Sequence, residues 1–266
     1  IIETGKMAKQ ANGAVLVRYG DTVVLVATTA SKEPREGTDF FPLTVDYEEK
    51  MYAVGKMPGG FLRREGRPGN SAILNARLID RPIRPLFDKR CRNDVHVVAT
   101  VLSVDYDNAP ELCGMLGASA SIGISDIPWD GPIAGVRIGR VDGKYVVNPT
   151  QEQLAESSMN ITVAGSEEAI MMVEGGANEA PEEEVLDAIM FGHETIKELC
   201  RFQKKIIEEV GKPKRTMVFP EVPEEIDEAV AAYATEDLKK AIFDADKLRR
   251  DGNIDAVKKA AKEHFA

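Results

Sequence analysis

The sequence predicts an α+β domain followed by an all-helical segment, and three observations support this fold class. Strand-like runs rich in β-branched residues alternate with helix-like segments as far as residue 212. Residues 223–264 are instead rich in Ala, Glu, Asp and Lys, with helical periodicity and no strand signal. A basic linker at 212–215 separates the two compositions. We therefore predict a core domain over 1–212 and an all-helical domain, truncated at its end, over 213–266.

The first elements follow from apolar alternation and from turn residues. Two β-branched strands, 14–18 and 22–28, flank a Gly-Asp turn and predict a hairpin. A further strand is predicted over 40–47, and the Gly- and Pro-rich stretch 51–69 is predicted to be a loop. Apolar residues at helical spacing predict a helix over 71–79, which the prolines that follow end or kink.

The rest of the chain continues the alternation of strands and helices. The run 95–104 is almost entirely β-branched, which is typical of a strand buried on both faces. Small apolar residues over 112–124 suit a helix that packs closely on a sheet. The remaining predicted elements are a hairpin at 132–140 and 144–147, a helix at 150–157, strands at 161–164 and 170–173, and helices at 181–210, 223–250 and 253–265. The last two helices are separated at Asp251-Gly252.

Composition excludes several classes of protein. No apolar run approaches the roughly 20 residues that a membrane-spanning helix needs. Three widely spaced cysteines and three histidines exclude a disulfide scaffold, a cysteine-built zinc site and a histidine-rich metal centre. The sequence therefore predicts a soluble cytoplasmic protein that does not associate with membranes.

The charge distribution singles out residues 61–92. The chain carries a net charge of −10, yet this stretch has nine basic and three acidic residues, 9 − 3 = +6. Eight of the nine are arginines, the side chain suited to planar, bidentate contact with phosphate. The Gly-flanked sequence Phe61-Leu62-Arg63-Arg64 adds an aromatic ring, a combination that suits single-stranded nucleic acid. A structural role for this loop, with the nearby arginines paired to Asp80, to Asp88 or to the acidic segment 145–196, is the alternative.

Three long motifs occur in order, Asp39–Val45, Phe61–Pro68 and Arg77–Phe87, with shorter ones at 131–133, 148–151 and 191–194. On these motifs residues 1–212 resemble the first core domain of the polynucleotide phosphorylase family, and the remainder resembles that family's helical linker. The resemblance implies an RNase PH-like core of the ribosomal S5 domain 2-like β-α-β type. It also implies a homotrimeric ring that degrades single-stranded RNA from its 3′ end with phosphate, releases nucleoside diphosphates and works with RNA-degradation machinery.

In that family the aromatic–arginine loop lines the entrance of the RNA channel. The match implies RNA contacts from seven residues, the last three supporting the first four: Phe61, Arg63, Arg64, Arg67, Arg77, Arg81 and Arg84. The last three are spaced by four and three residues and would share one helix face if the helix continued past Pro82. Leu62 departs from the family pattern, which has a second aromatic residue there, so one stacking partner is missing.

Catalysis in this family belongs to the second core, which uses inorganic phosphate and Mg²⁺ or Mn²⁺. Aligned with that core, this chain has Leu154 and Asn160 at the positions of the metal carboxylates and Thr162 at that of a lysine. Pro110-Glu111 fall where serines would bind phosphate, and a carboxylate there would repel an anion. The resemblance therefore implies a catalytically degenerate core, without catalytic residues, metal ligands or a cofactor of its own, that serves ring assembly and RNA contacts.

Two other functions are compatible with such a core. One is a complete RNase PH-type enzyme that acts alone, and the missing carboxylates argue against it. The other is a structural RNA-binding module of S5-like fold, for which a basic surface over the whole protein would be expected. The net charge of −10 argues against that alternative.

Overall fold

A computed structural model of the chain describes residues 1–35, 37–219 and 222–266, which form two compact units, Ile1–Val218 and Phe219–Ala266. The strands are β1 (Ile2–Thr4), β2 (Gly13–Tyr19), β3 (Thr22–Pro34), β4 (Leu43–Glu49), β5 (Asn93–Ser103), β6 (Ala134–Val141), β7 (Lys144–Val147), β8 (Met159–Gly165) and β9 (Ile170–Ala177). The helices are α1 (Asn70–Ile83), α2 (Pro110–Ile124), α3 (Gln151–Glu156), α4 (Glu182–Val210), α5 (Glu224–Ile242) and α6 (Lys247–Phe265). The predicted α+β fold is confirmed.

The first sheet has the strand order β1-β2-β3-β5-β4, antiparallel except for the parallel pair β4–β5. Alternate residues of its strands point inward and pack against α1 and α2 to form the main core. Small residues allow α2 to approach closely, as the sequence predicts. A Cβ atom on Gly117 would lie 2.6 Å from a methyl group of Val26.

The second sheet is fully antiparallel in the order β7-β6-β8-β9. Apolar side chains on one face, including Val136, Ile138 and Ile161, pack against α4 in a second core. The residues that alternate with these along the strands, such as Arg137, point to the opposite face of the sheet, which meets α2. The two sheets thus enclose α2, which explains why 12 of its residues are buried.

Two details of the helices differ from the sequence prediction. Helix α1 continues through Pro82 to Ile83, and this proline is itself buried. The predicted break at Asp251-Gly252 is wrong, since Gly252 lies inside α6. That helix begins earlier because the Asp246 carboxylate caps it by accepting the backbone N–H of Arg249 at 2.8 Å.

The segment after α4 belongs to the first compact unit. The boundary between the two units therefore lies after Val218 and not at residue 212. The backbone N–H of Lys212 donates to the Ile124 carbonyl at 3.0 Å, and that of Arg215 donates to the Asp126 carbonyl at 2.8 Å. The Lys214 ammonium donates to three carbonyls at the C-terminal end of α2: Ile122 (3.1 Å), Gly123 (2.8 Å) and Ser125 (2.7 Å). This cation therefore caps the negative end of the α2 dipole.

Replacing Lys214 with methionine is expected to lower the free energy of unfolding by about 1–2 kcal/mol, because α2 loses its C-terminal cation. Urea unfolding monitored by circular dichroism measures the change. Lys258→Met on exposed α6 is the matched control and should change stability by less than about 0.5 kcal/mol. Equal losses of stability in the two variants would show that the three hydrogen bonds to carbonyls contribute nothing specific.

Candidate nucleic-acid interface

The aromatic–arginine loop, residues 59–69, lies between the 3₁₀ turn that follows β4 (Met51–Val54) and the start of α1, and it presents its ring to solvent. Phe61 is fully exposed, at 101% of its reference surface, and Leu62 is 73% exposed. A positive φ at Gly60 (81°) and at Arg63 (45°) turns the backbone sharply on both sides of these two residues. A fully exposed phenylalanine has no packing role, so its ring is free to stack on a ligand.

The base of the loop is tied to the fold while its arginines are free. The Glu65 carboxylate accepts the backbone N–H of Met51 at 3.0 Å, which anchors the loop to the 3₁₀ turn after β4. The side chains of Arg63, Arg64 and Arg67 are exposed, and none has an ion pair or hydrogen bond within the described ranges of the chain. Three guanidinium groups next to an exposed ring can bind phosphates without first breaking an internal contact.

Arg77 and Arg81 lie in α1, and Arg84 follows its last residue, so the helix does continue past Pro82, but the three side chains have different environments. Arg84 pairs with Asp80 (2.7 and 3.0 Å) and donates to the carbonyls of Phe41 and Leu43 at 3.3 and 3.0 Å. For Arg84 the alternative of internal pairing is therefore the correct one.

Arg81 pairs with Glu174 on β9, so it too has an internal partner. Arg77 lines a groove beside Pro68 and has no polar partner in the part of the chain that the structure describes. Of the seven predicted RNA-binding residues, five have no ion pair among the described residues, and two, Arg81 and Arg84, are paired with carboxylates of the chain.

The face of the second sheet that meets α2 carries two of the three residues aligned with a catalytic centre, whereas Leu154 lies in α3. Thr162 lies directly opposite Arg137 of β6 and Glu174 of β9, and Asn160 is on the same face. Glu111, in the first turn of α2, forms an ion pair with Arg137, and both side chains are less than one fifth exposed. Sequence reasoning missed this pair, because no local pattern connects residues that are 26 positions apart.

The ion pairs on this face leave little that could bind phosphate or metal. The cations Arg137 and Arg81 are each neutralised by a carboxylate. No cluster of three or more histidine, cysteine or carboxylate side chains suited to a metal occurs among the described residues. Burial raises the pKa of the Cys113 thiol to about 12 and that of Cys200 to about 11, so neither supplies a thiolate near neutral pH. No described helix is long and apolar enough to cross a bilayer.

Comparisons with known sequences agree on one relationship. The chain is 59% identical over 262 residues to a polyribonucleotide nucleotidyltransferase of Heliobacterium modesticaldum, covering 98% of this chain and 37% of the relative. It is 55% identical over 264 residues to the enzyme of that name from Bacillus subtilis, covering 99% and 37%. The chain therefore spans a little over a third of the length of the curated relatives it matches.

A solved structure and two family models complete the comparison. Rice Rrp46 superposes with a TM-score of 0.62 at 14% identity, over 78% of this chain and 94% of that one, which shows a shared fold. The model for domain 1 of the 3′ exoribonuclease family, RNase PH, matches residues 1–128, and the model for domain 2 matches 131–195. Since the two models of this one family together account for most of the first unit, the chain belongs to the RNase PH family of 3′ exoribonucleases.

Proposed function

We propose that this chain is the first RNase PH-like core, with part of the helical domain, of a phosphate-dependent 3′-5′ exoribonuclease, and that it holds single-stranded RNA. The observation that carries the proposal is the fully exposed Phe61 ring beside three unpaired arginines on an anchored loop. The relatives are named polyribonucleotide nucleotidyltransferase, a name that agrees with a polyribonucleotide substrate.

The loop supplies both interactions that single-stranded RNA needs. A base stacks on Phe61, which requires no particular sequence because every base has a π face. Arg63, Arg64 and Arg67 bind the phosphates on either side of that base. Leu62 offers an apolar surface but no aromatic ring on which a second base could stack. The arginines therefore contribute a larger share of the binding free energy. Arg77 extends the basic surface along α1, whereas Arg81 and Arg84 support it by holding α1 in place.

Catalysis is assigned to a second core outside this chain. In phosphorolysis an oxygen of inorganic phosphate attacks the terminal phosphodiester, the 3′ oxygen leaves, and a nucleoside diphosphate is released. The group at Leu154, Asn160 and Thr162 provides no carboxylate for Mg²⁺ or Mn²⁺, so these residues do not fit a metal. Glu111, which aligns with a phosphate-binding serine, is an anion and forms an ion pair with Arg137, which supports the absence of a phosphate site in this core. We propose a degenerate core that contributes to a homotrimeric ring in the cytoplasm and to contacts with RNA-degradation machinery.

A structural RNA-binding module of S5-like fold is the second candidate function, favoured only by the loop itself. Such a module would have the aromatic–arginine loop but no relationship to an enzyme. The net charge of −10 and the identity of more than half of all positions to a nucleotidyltransferase speak against it.

The isolated chain is expected to release no nucleoside diphosphate from oligo(A) in the presence of phosphate and Mg²⁺ or Mn²⁺, because the metal carboxylates are missing. Chromatography of the products measures the release against a blank without protein. The Arg137→Ala variant is the control for contaminating nuclease. Release above the blank that this variant abolishes would show that the core is catalytically active.

A further inference from the structure

A groove runs along the free edge of the first sheet, between β4 and α1. This edge groove has a volume of about 330 Å³ and is lined by residues 43–47 of β4, Pro68 and one side of α1. Pro68 lies at one end, and the Asp80–Arg84 pair closes the other. It is separate from the exposed ring of Phe61, which does not line it.

The backbone of β4 faces this groove with unpaired polar groups. The Pro42 carbonyl accepts from Val95 of β5, whereas the next carbonyl, that of Leu43, accepts from Arg84 on the opposite side. Because backbone groups alternate along a strand, Val45 and Tyr47 also direct their N–H and C=O groups away from β5. Within the described residues nothing pairs with those groups, since β4 is the last strand of its sheet. An unpaired edge of this kind can accept another strand.

The wall formed by α1 is apolar and supplies one charge. Ala72 and Ala76 are small, and Ile73 is 49% exposed, so the wall is apolar and shallow. Arg77 is the one cation lining the groove that has no partner among the described residues. A segment lying along β4 would meet apolar surface on one side and this guanidinium on the other.

The charges that line the groove favour a peptide over a nucleic acid as its ligand. Asp46 and Asp80 line it together with Arg77 and Arg84, so the formal charges cancel, 2 − 2 = 0. A polyanionic backbone gains little there, and no exposed aromatic ring is available for stacking among the described residues that line it. A single carboxylate placed at Arg77 would gain a charge-assisted hydrogen bond.

We propose that the edge groove binds an extended peptide segment, which adds to β4 as a new edge strand and directs an acidic side chain to Arg77. The hydrogen bonds to Val45 and Tyr47 would provide affinity, and Arg77 would select the acidic residue. The site excludes the ring and the three arginines of the aromatic–arginine loop but shares Arg77 with the basic surface proposed above for RNA.

The probe is a random octapeptide library displayed on phage and selected on the immobilised 266-residue chain. We expect enrichment of β-branched peptides that contain one acidic residue. Fluorescence anisotropy with the best labelled peptide should give at least tenfold weaker binding to Arg77→Glu, and replacing the acidic residue with lysine should restore binding to that variant. Lys258→Glu on α6 has the same charge change and should leave the affinity unchanged.

Two measurements test the backbone contacts. Val45→Pro removes an outward N–H at an edge position, where proline is tolerated, and should weaken binding at least tenfold. If that variant unfolds, two sets of N-methylated peptides serve instead, one methylated at the odd-numbered residues and one at the even-numbered residues. Only the set that loses the N–H groups facing β4 should fail to bind. The proposal is overturned if no peptide is enriched, if both sets bind equally, or if Arg77→Glu only dissociates a dimer of this chain. Displacement of the peptide by oligo(A) in a Phe61→Ala/Arg63→Ala/Arg64→Ala variant, which lacks the main RNA contacts of the loop, would assign the groove to RNA and also overturn the proposal.

Discussion

Replacing Phe61 with alanine is expected to weaken the binding of oligo(A) to this chain by up to about a hundredfold. A base stacked on an aromatic side chain contributes about 1–3 kcal/mol, as measured by alanine substitution. Because the ring is fully exposed and touches no core residue, its removal should leave the midpoint of thermal unfolding unchanged. Fluorescence anisotropy with a labelled oligo(A) of about ten nucleotides, within the span that one single-strand-binding site covers, measures the affinity.

Phe243→Ala is the matched control, since this phenylalanine is 86% exposed but lies in the helical unit. It should retain the affinity of the wild type. The proposed stacking role would be refuted if the two alanine variants bound oligo(A) equally well.

Replacing the arginines of the loop should change the salt dependence of RNA binding, whereas replacing Phe61 removes a stacking contact. Arg63→Ala/Arg64→Ala is expected to reduce the slope of log K against log salt by about 1.4, which is about 0.7 for each phosphate that is no longer neutralised. Lys258→Ala/Lys259→Ala removes the same charge from α6 and should leave the slope unchanged. The same slope in the wild type and both double variants would mean that the loop arginines do not bind phosphate.

Arg137→Ala is expected to destabilise the chain by about 3 kcal/mol, measured as the free energy of unfolding in urea. The substitution leaves the Glu111 carboxylate without its cation at a position that is 13% exposed, and an uncompensated charge there is costly. The effect should be larger than that for any exposed pair, such as Lys239–Glu236 on α5, which contributes about 0–1 kcal/mol.

A double variant distinguishes the effect of the ion pair from the effect of packing. Glu111→Leu/Arg137→Met replaces both charges with apolar groups of similar volume, and we expect it to regain most of the stability. The N–H at Nε of Arg137 is buried without a partner among the described residues, so methionine also removes an unsatisfied donor. If the double variant is as unstable as Arg137→Ala, the effect arises from packing and the ion pair is not its cause.

The sequence alone determined the α+β class, the order of the main elements and the position of the aromatic–arginine loop. Period-two alternation located most residues of β2, β3 and β5, because each of these strands buries one face against a helix. The loop could be predicted because its ring and arginines are adjacent in sequence, so no folding is needed to bring them together. The family resemblance is confirmed by the comparisons.

Only the tertiary structure decided which arginines are free. Arg84 and Asp80 are one helical turn apart, and the sequence could suggest that pair. Arg81 and Glu174 are separated by 93 positions, and only the packing of α1 near β9 brings them together. The pairing of Glu111 with Arg137 likewise depends on α2 lying against the second sheet. Sequence patterns contain information about residues that are close along the chain. The ion-pair partner of a charged side chain instead depends on which surfaces come into contact when the chain folds.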